Sequence, residues 1–218
     1  MTEKEAILVR QSVRNYKNQK IDADTVREIQ KKVDEINETS GLNLQFLEDA
    51  GNTYNRFLSK TMGLGSVPSV IVCVGPDTED LEEKIGYYGE KLVLYLQMLG
   101  LNSCWTGTFN SKDTGALIGE GERLVITIAV GYGQDQGKAH RSKKAEQVAE
   151  GKTPWPEWFK QGVEMALLAP TAINQQKFMI RLNEDDSVDF IDRKGPFSKV
   201  NLGIVRYHFE IGAGRNQE

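Results

Sequence analysis

"LVRQSVRNYK", residues 8–17, sets Arg10, Ser12 and Arg14 at alternate positions, with Gln11 between the first two. In an extended chain alternate side chains share a face, so two guanidiniums and a hydroxyl converge on one compact anion. A phosphate suits that donor set, because guanidinium forks match its oxygens and the hydroxyl adds one more donor. The competing reading is a solvated, positively charged connection between helices. Which of the two holds depends on what the rest of the chain supplies.

Upstream, Thr2 and Glu5 have capping-box spacing ahead of Ala6, Ile7 and Leu8, which predicts a short helix leading into the cationic stretch. Downstream, a longer helix starts near Asp22 or Asp24, carries Val26, Ile29, Val33 and Ile36 on one stripe, and ends around Ser40 and Gly41. "LNLQFLED" (42–49) alternates Leu42, Leu44 and Phe46 as a half-buried strand does. "SVPSVIVCVGP" (66–76) is a continuous Val-rich run bounded by Pro and Gly, the pattern of a central strand covered on both faces. A helix within 78–100 follows, stopped by Gly100, and "RLVITIAVGYG" (123–133) reads as a second buried strand.

"GKTPWPEWF" (151–159) marks a boundary after which a helix begins at Pro156 and ends near Pro170. "KFMIRLNEDDSVDFIDR" (177–193) predicts a hairpin turning at Asn183 to Ser187, and "VNLGIVRYHFEIGAG" (200–214) a terminal helix closed by glycine. Helices and strands mix without a steady βαβ rhythm, so the expected class is α+β rather than doubly wound. A weak internal echo relates 89–100 to 203–214: the bounding glycines have the same separation, and Tyr95 matches Phe209.

At 218 residues, 39% hydrophobic, 27% charged and with three Trp, the chain has the composition of an ordered globular protein. A net charge of −4 argues against general nucleic-acid affinity, so the clustered cations have local work. Cys73 and Cys104 lie in apolar contexts without a C-x-x-C pair, and His140 and His208 are far apart, so no structural metal site is expected. With no leader pattern and no apolar run of membrane length, the expectation is a reduced, cytoplasmic protein.

Two further stretches matter. In "LGLNSCWTGTF" (99–109) a helix ends at Gly100 and small residues lead to Gly107, whose backbone can approach a flat ligand; an ordinary helix stop is the alternative. In "APTAINQQKF" (169–178) a proline precedes Thr171, Asn174 and Gln176, whose amides suit the polar rim of a heterocycle; a capped loop is the alternative.

Together these stretches resemble the FMN-dependent nitroreductase family. Its R-x-S-x-R opening followed by an aromatic matches Arg10, Ser12, Arg14 and Tyr16, and its loop after the long helix, roughly G-L-G-x-x-W/x-I-G, is matched by Gly100, Leu101, Cys104, Trp105 and Gly107. Its A-P-S/T-x-x-N-x-Q element matches Ala169, Pro170, Thr171, Asn174 and Gln176, and its strand ending in G-Y before basic residues matches Gly131 and Tyr132, then Lys138, Arg141, Lys143 and Lys144. The resemblance implies a nitroreductase-like α+β fold with mixed central sheets flanked by helices. It also implies that Arg10, Gln11, Ser12 and Arg14 surround the FMN phosphate and ribityl chain, with Arg141 or Lys143 helping. Asn174 and Gln176 would meet the ribityl or pyrimidine side, and Cys104, Trp105, Thr106 and Gly107 would face the ring. No catalytic side chain is required, because the flavin carries the hydride chemistry.

One departure is large. Typical members are homodimers that carry the A-P-S/T element in the N-terminal part, whereas here it lies beyond the Gly131–Tyr132 strand, and Lys177 replaces the usual Pro. The expectation is a pseudo-dimer in one chain: residues 1–150 as a flavin-binding half, and 151–218 as a shorter half completing the same flavin site in a monomer. The implied activity is reduction of a small acceptor, a nitroaromatic or quinone, by NADH or NADPH through FMN in ping-pong order. A flavin-binding or carrier protein without turnover is the alternative, and a phosphate-ligand protein without flavin is a third.

Overall fold

The computed structural model describes residues 1–215. Its elements in chain order are α1 (Glu3–Val9), α2 (Ala23–Ser40), β1 (Asn43–Leu47), α3 (Arg56–Met62), β2 (Ser69–Pro76), α4 (Leu81–Met98) and β3 (Asn102–Thr106). There follow β4 (Glu122–Gly131), β5 (Ala149–Gly151), α5 (Glu157–Ala166), β6 (Phe178–Leu182), β7 (Val188–Asp192) and α6 (Ser198–Ala213), with short turns at Ala145–Gln147 and Ala172–Asn174. They fall into two compact units, each discontinuous in sequence. The sheet unit comprises Arg10–Leu81 and Leu92–Ala139; the helical unit comprises Met1–Val9, Glu82–Lys91 and the chain from His140 onward.

In the sheet unit four strands lie in the order β1-β2-β4-β3, all neighbours antiparallel. β2 is central and buried from Ser69 to Gly75, as its unbroken apolar run requires. Helix α2 starts on the Asp22 side chain, which accepts from Thr25 N at 2.9 Å, and stops at Gly41 in the left-handed region. Its Asn37 amide makes two bonds with the Leu44 backbone, to O at 2.9 Å and from N at 2.8 Å, which fixes α2 against β1. Leu42, Leu44 and Phe46 are buried, as the alternation predicts.

β3 was not foreseen: the residues after Gly100 read as a loop, yet 102–106 pair with 127–131 of β4. The far edge of β3 is covered by the opening stretch, with Ser12 bridging Ser103 in parallel and Val13 N donating to Ser103 O at 3.0 Å. That pairing holds the Arg10–Arg14 stretch extended. Val13 and Tyr16 turn into a small core with Leu64, Cys104 and Ala129.

In the helical unit β5 and β6 are parallel and β6 and β7 antiparallel, so this three-stranded sheet is mixed. The β6–β7 turn closes through Asn183 N to Ser187 O at 2.9 Å. Helix α5 stops at Ala166, short of Pro170. Glu83–Tyr87 of α4 approaches α6 so closely that a Cβ on Gly86 would overlap Val200 O and one on Gly203 would overlap Glu83 O, so only glycine fits either position. Near that crossing His208 Nε2 meets Glu90 Oε1 at 2.9 Å, with both side chains at 0% exposure, and His208 Nδ1 faces Met165 O at 3.1 Å. Tyr207 donates to Glu3 Oε1 and Tyr87 to Glu210 Oε2, each at 2.6 Å.

Candidate functional site

In the sheet unit the cationic stretch and β3 form one cluster. Arg10 is 3% exposed, Ser12 is half-buried and Arg14 is exposed. Cys104 lies beside them: burial pushes its thiol up, while the charges of Arg14 and Arg10 and a hydrogen bond with Ser12 act in the opposite sense. Ser12 thus lies against Cys104 at the start of "CWTG", with Arg10 and Arg14 close enough to act on it electrostatically. Gln11, half-buried, lies between them on the chain.

β3 then runs through Trp105 to Thr106, and Gly107 follows in an exposed bend. Thr106 is fixed by a triangle of hydroxyls: Tyr54 Oη lies 2.7 Å from Thr106 Oγ1 and 2.8 Å from Thr127 Oγ1, and the two threonine oxygens are 2.7 Å apart. Burial pushes the Tyr54 phenol well up, so it stays protonated and keeps its donor. Tyr54 also lines a cavity of about 500 Å³ with Ser59, Lys60, Leu64 and Gly65. Gly65 N donates to Arg14 O at 2.8 Å, which sets this cavity beside the cationic stretch. Sequence reasoning missed Tyr54 and Lys60, whose segment carries no apolar period to flag it.

In the helical unit Arg141 and Lys143 meet the Asn174–Gln176 loop. Asn174 Nδ2 donates to Arg141 O at 2.8 Å, and Gln176 Nε2 donates to Arg141 O at 3.2 Å and to Asn174 Oδ1 at 3.0 Å. Lys143 donates from its backbone N to Gln176 Oε1 and from Nζ to Gln176 O, both at 2.8 Å. Gln176 is 2% exposed, so its amide braces the two loops. The Arg141 and Lys143 side chains remain exposed. Ile173, Asn174 and Gln176 all have positive φ, at 49°, 53° and 45°.

Among the described residues no group of three or more His, Cys, Asp or Glu is arranged to hold a metal ion, and no helix is long and apolar enough to cross a membrane.

An antiparallel sheet edged by an extended cationic stretch, with a second sheet and packed helices, is a nitroreductase-like α+β fold. The chain matches the family model described as "Putative TM nitroreductase" over residues 3–213. It is similar to the crystal structure of a "putative nitroreductase" from Thermotoga maritima, with a TM-score of 0.72 and 23% identity, covering 99% of this chain and 87% of that one. A nitroreductase from Desulfovibrio desulfuricans solved in complex with FMN aligns with a TM-score of 0.52 and 16% identity over 72% of this chain and 99% of that one. A protein from Clostridium acetobutylicum described as a "Putative NADH Oxidase" aligns at 0.50 and 20% identity, over 65% and 96%. No curated protein matches. The chain belongs to this nitroreductase family, a family of oxidoreductases.

Proposed function

We propose that the protein is an FMN-dependent NAD(P)H oxidoreductase that reduces small nitroaromatic or quinone acceptors. The observation that carries this is the extended Arg10–Arg14 stretch paired along β3, with Ser12 bridging Ser103, at the head of the segment leading to Gly107. The donor set suits a phosphate monoester: planar forks for the anionic oxygens and a hydroxyl donor beside them. Arg10, Gln11, Ser12 and Arg14 hold the phosphate and ribityl end. Cys104, Trp105, Thr106 and Gly107 offer backbone to the ring, the hydroxyl triangle keeping Thr106 in place. Asn174 takes the ribityl or pyrimidine side and Gln176 keeps that loop in shape, with Arg141 or Lys143 adding positive charge.

Bound FMN would supply two-electron chemistry, a hydride arriving from NAD(P)H and two electrons with two protons leaving to the acceptor, in separate half-reactions. The protein's own part is binding, orientation and exclusion of water. Each motif occurs once in the chain, so we read one FMN per polypeptide and a monomer able to work alone.

Visible absorption of the purified, FMN-loaded protein tests the reading, followed by anaerobic addition of NADH or NADPH and then of a quinone. Bleaching and recovery support it. A yellow protein that neither nucleotide bleaches is a flavin carrier, and a protein that retains no FMN is neither. Mixing an Asn174→Ala chain with an Arg14→Ala chain tests the stoichiometry: regained flavin binding would return the protein to the obligate-dimer arrangement.

A further inference from the structure

Thr106 and Thr127 face each other across β3 and β4, and each hydroxyl lies against the other's carbonyl: Thr106 Oγ1 donates to Thr127 O at 3.0 Å and Thr127 Oγ1 to Thr106 O at 3.2 Å. A hydroxyl has one proton to give, so this reciprocal arrangement commits both threonine protons. Tyr54 Oη, 2.7 Å from one threonine oxygen and 2.8 Å from the other, then donates to one of them. Burial keeps the phenol protonated, so that donation persists across the neutral range. A hydroxyl that accepts a bond donates its own more strongly, and the Tyr54 proton thereby reinforces the threonine pair.

The carbonyl of Thr106 belongs to the same peptide unit as the N–H of Gly107. That unit is trans, so its C=O and N–H point in opposite directions. Thr106 O turns toward β4, whereas one residue in two along β3 turns its backbone to the other edge, as Ser103 O does in accepting from Val13 N. Gly107 N–H is therefore directed to the edge of β3 along which the Arg10–Arg14 stretch runs, and Gly107 is exposed. A hydrogen bond accepted by a peptide oxygen polarises the unit and makes its N–H a stronger donor. All of these groups belong to the sheet unit.

We infer that Tyr54 and Thr127 are positioning residues whose hydroxyls act through Thr106 to strengthen Gly107 N–H as a donor to the flavin ring, and so raise the reduction potential of the bound cofactor. This rests on the flavin reading above, which sets the Gly107 backbone against the ring. Reduction places electron density on the ring's oxygens and nitrogens, and a stronger donor favours that form.

Thr127→Val removes the hydroxyl and keeps the branching, Thr127→Ser keeps the hydroxyl, and Tyr54→Phe keeps the aromatic ring. The midpoint potential of the FMN-loaded protein is read against a reference dye, and the Gly107 amide nitrogen of the apoprotein is read by NMR. Thr127→Val and Tyr54→Phe should each lower the reduced-to-oxidised ratio about three- to tenfold at fixed potential, about 14–30 mV for a two-electron couple, and move the Gly107 nitrogen upfield. Thr127→Ser should match wild type in both readouts. A ratio within about twofold of wild type for either Thr127→Val or Tyr54→Phe, in protein that still binds FMN, would overturn the inference and leave the flavin reading standing. A Gly107 nitrogen that does not move would overturn it as well. So would a Thr127→Ser shift as large as that of Thr127→Val, because packing and not the hydroxyl would then set the potential. Wild-type protein that takes up no FMN overturns both.

Discussion

The interiors of the two units are polar in different ways. Inside the sheet unit, besides buried Arg10, Asn102 and Ser103, a cluster between β3 and β4 is made of the neutral hydroxyls of Tyr54, Thr106 and Thr127, which donate and accept among themselves. Inside the helical unit the corresponding groups are ionisable: Glu90 faces His208, and Glu210 takes bonds from Tyr87 and Arg206. A hydroxyl triangle that loses one member still has a bonded pair, whereas a buried carboxylate deprived of its imidazole keeps a desolvated group in an apolar place. The candidate site segments repeat the contrast. The Arg10–Arg14 stretch is held by backbone pairing to β3, while the Ile173–Gln176 loop is held by its own side-chain amides.

The largest effect should come from His208→Leu, at about 3–5 kcal/mol of lost stability in urea titrations, with the double replacement Glu90→Leu plus His208→Leu costing less than this single change. Thr127→Val in the sheet unit should cost only about 1 kcal/mol. Equal losses for His208→Leu and Thr127→Val would erase the contrast between the units.

Next in size, Arg14→Ala should weaken FMN binding by about 1.5–3 kcal/mol, the worth of a charge-assisted bond, with the melting temperature of the apoprotein unchanged. Titration with FMN by fluorescence quenching measures it. Gln176→Ala should show the opposite pairing, about 1–3 kcal/mol of stability lost and faster hydrogen exchange in 141–143 and 173–177, because its amide braces both loops. An Arg14→Ala protein that melts early, or a Gln176→Ala protein that does not, would reverse the assignment of free and structural side chains.

The smallest effect concerns alkaline pH. Burial, and then the hydrogen bond to the Glu3 carboxylate, push the Tyr207 phenol well above its ordinary value. A folded-state value above the unfolded one of about 10 means that the contribution is complete below about pH 10 and is lost as pH rises beyond it. Tyr207→Phe should therefore flatten the decline of the urea midpoint between about pH 10 and 11.5. An unchanged slope would assign that decline to other phenols, among them Tyr54.

Local signals in the sequence proved dependable where the physics is local. Thr2 and Glu5 exchange the two bonds of a capping box, Asp22 caps α2, and Gly41, Gly100 and Gly214 all have positive φ. What escaped is long-range. "NSCWT" has little strand character by itself and becomes β3 because Thr127–Gly131 and Ser12 pair with it on either side. β5 is three residues whose pairing depends on β6. The division expected at 150/151 follows local composition, whereas the compact units recruit Met1–Val9 and Glu82–Lys91 from far along the chain. The extended course of the Arg10–Arg14 stretch was legible from its alternation. The cavity beside Tyr54 and Lys60 was not, nor was the left-handed turn at Ile173, where residue type argues for the opposite backbone.

Helix α1 packs against α6, where Tyr207 donates to Glu3 across 204 residues of sequence. On a ribosome adding about 5–20 residues per second, roughly 10–40 s separate the emergence of these partners. Throughout that interval Ala6 and Ile7, buried in the finished protein, lack α6 as a packing partner. Helix α1 is therefore among the last elements to finish docking, although its residues are made well before those of α6.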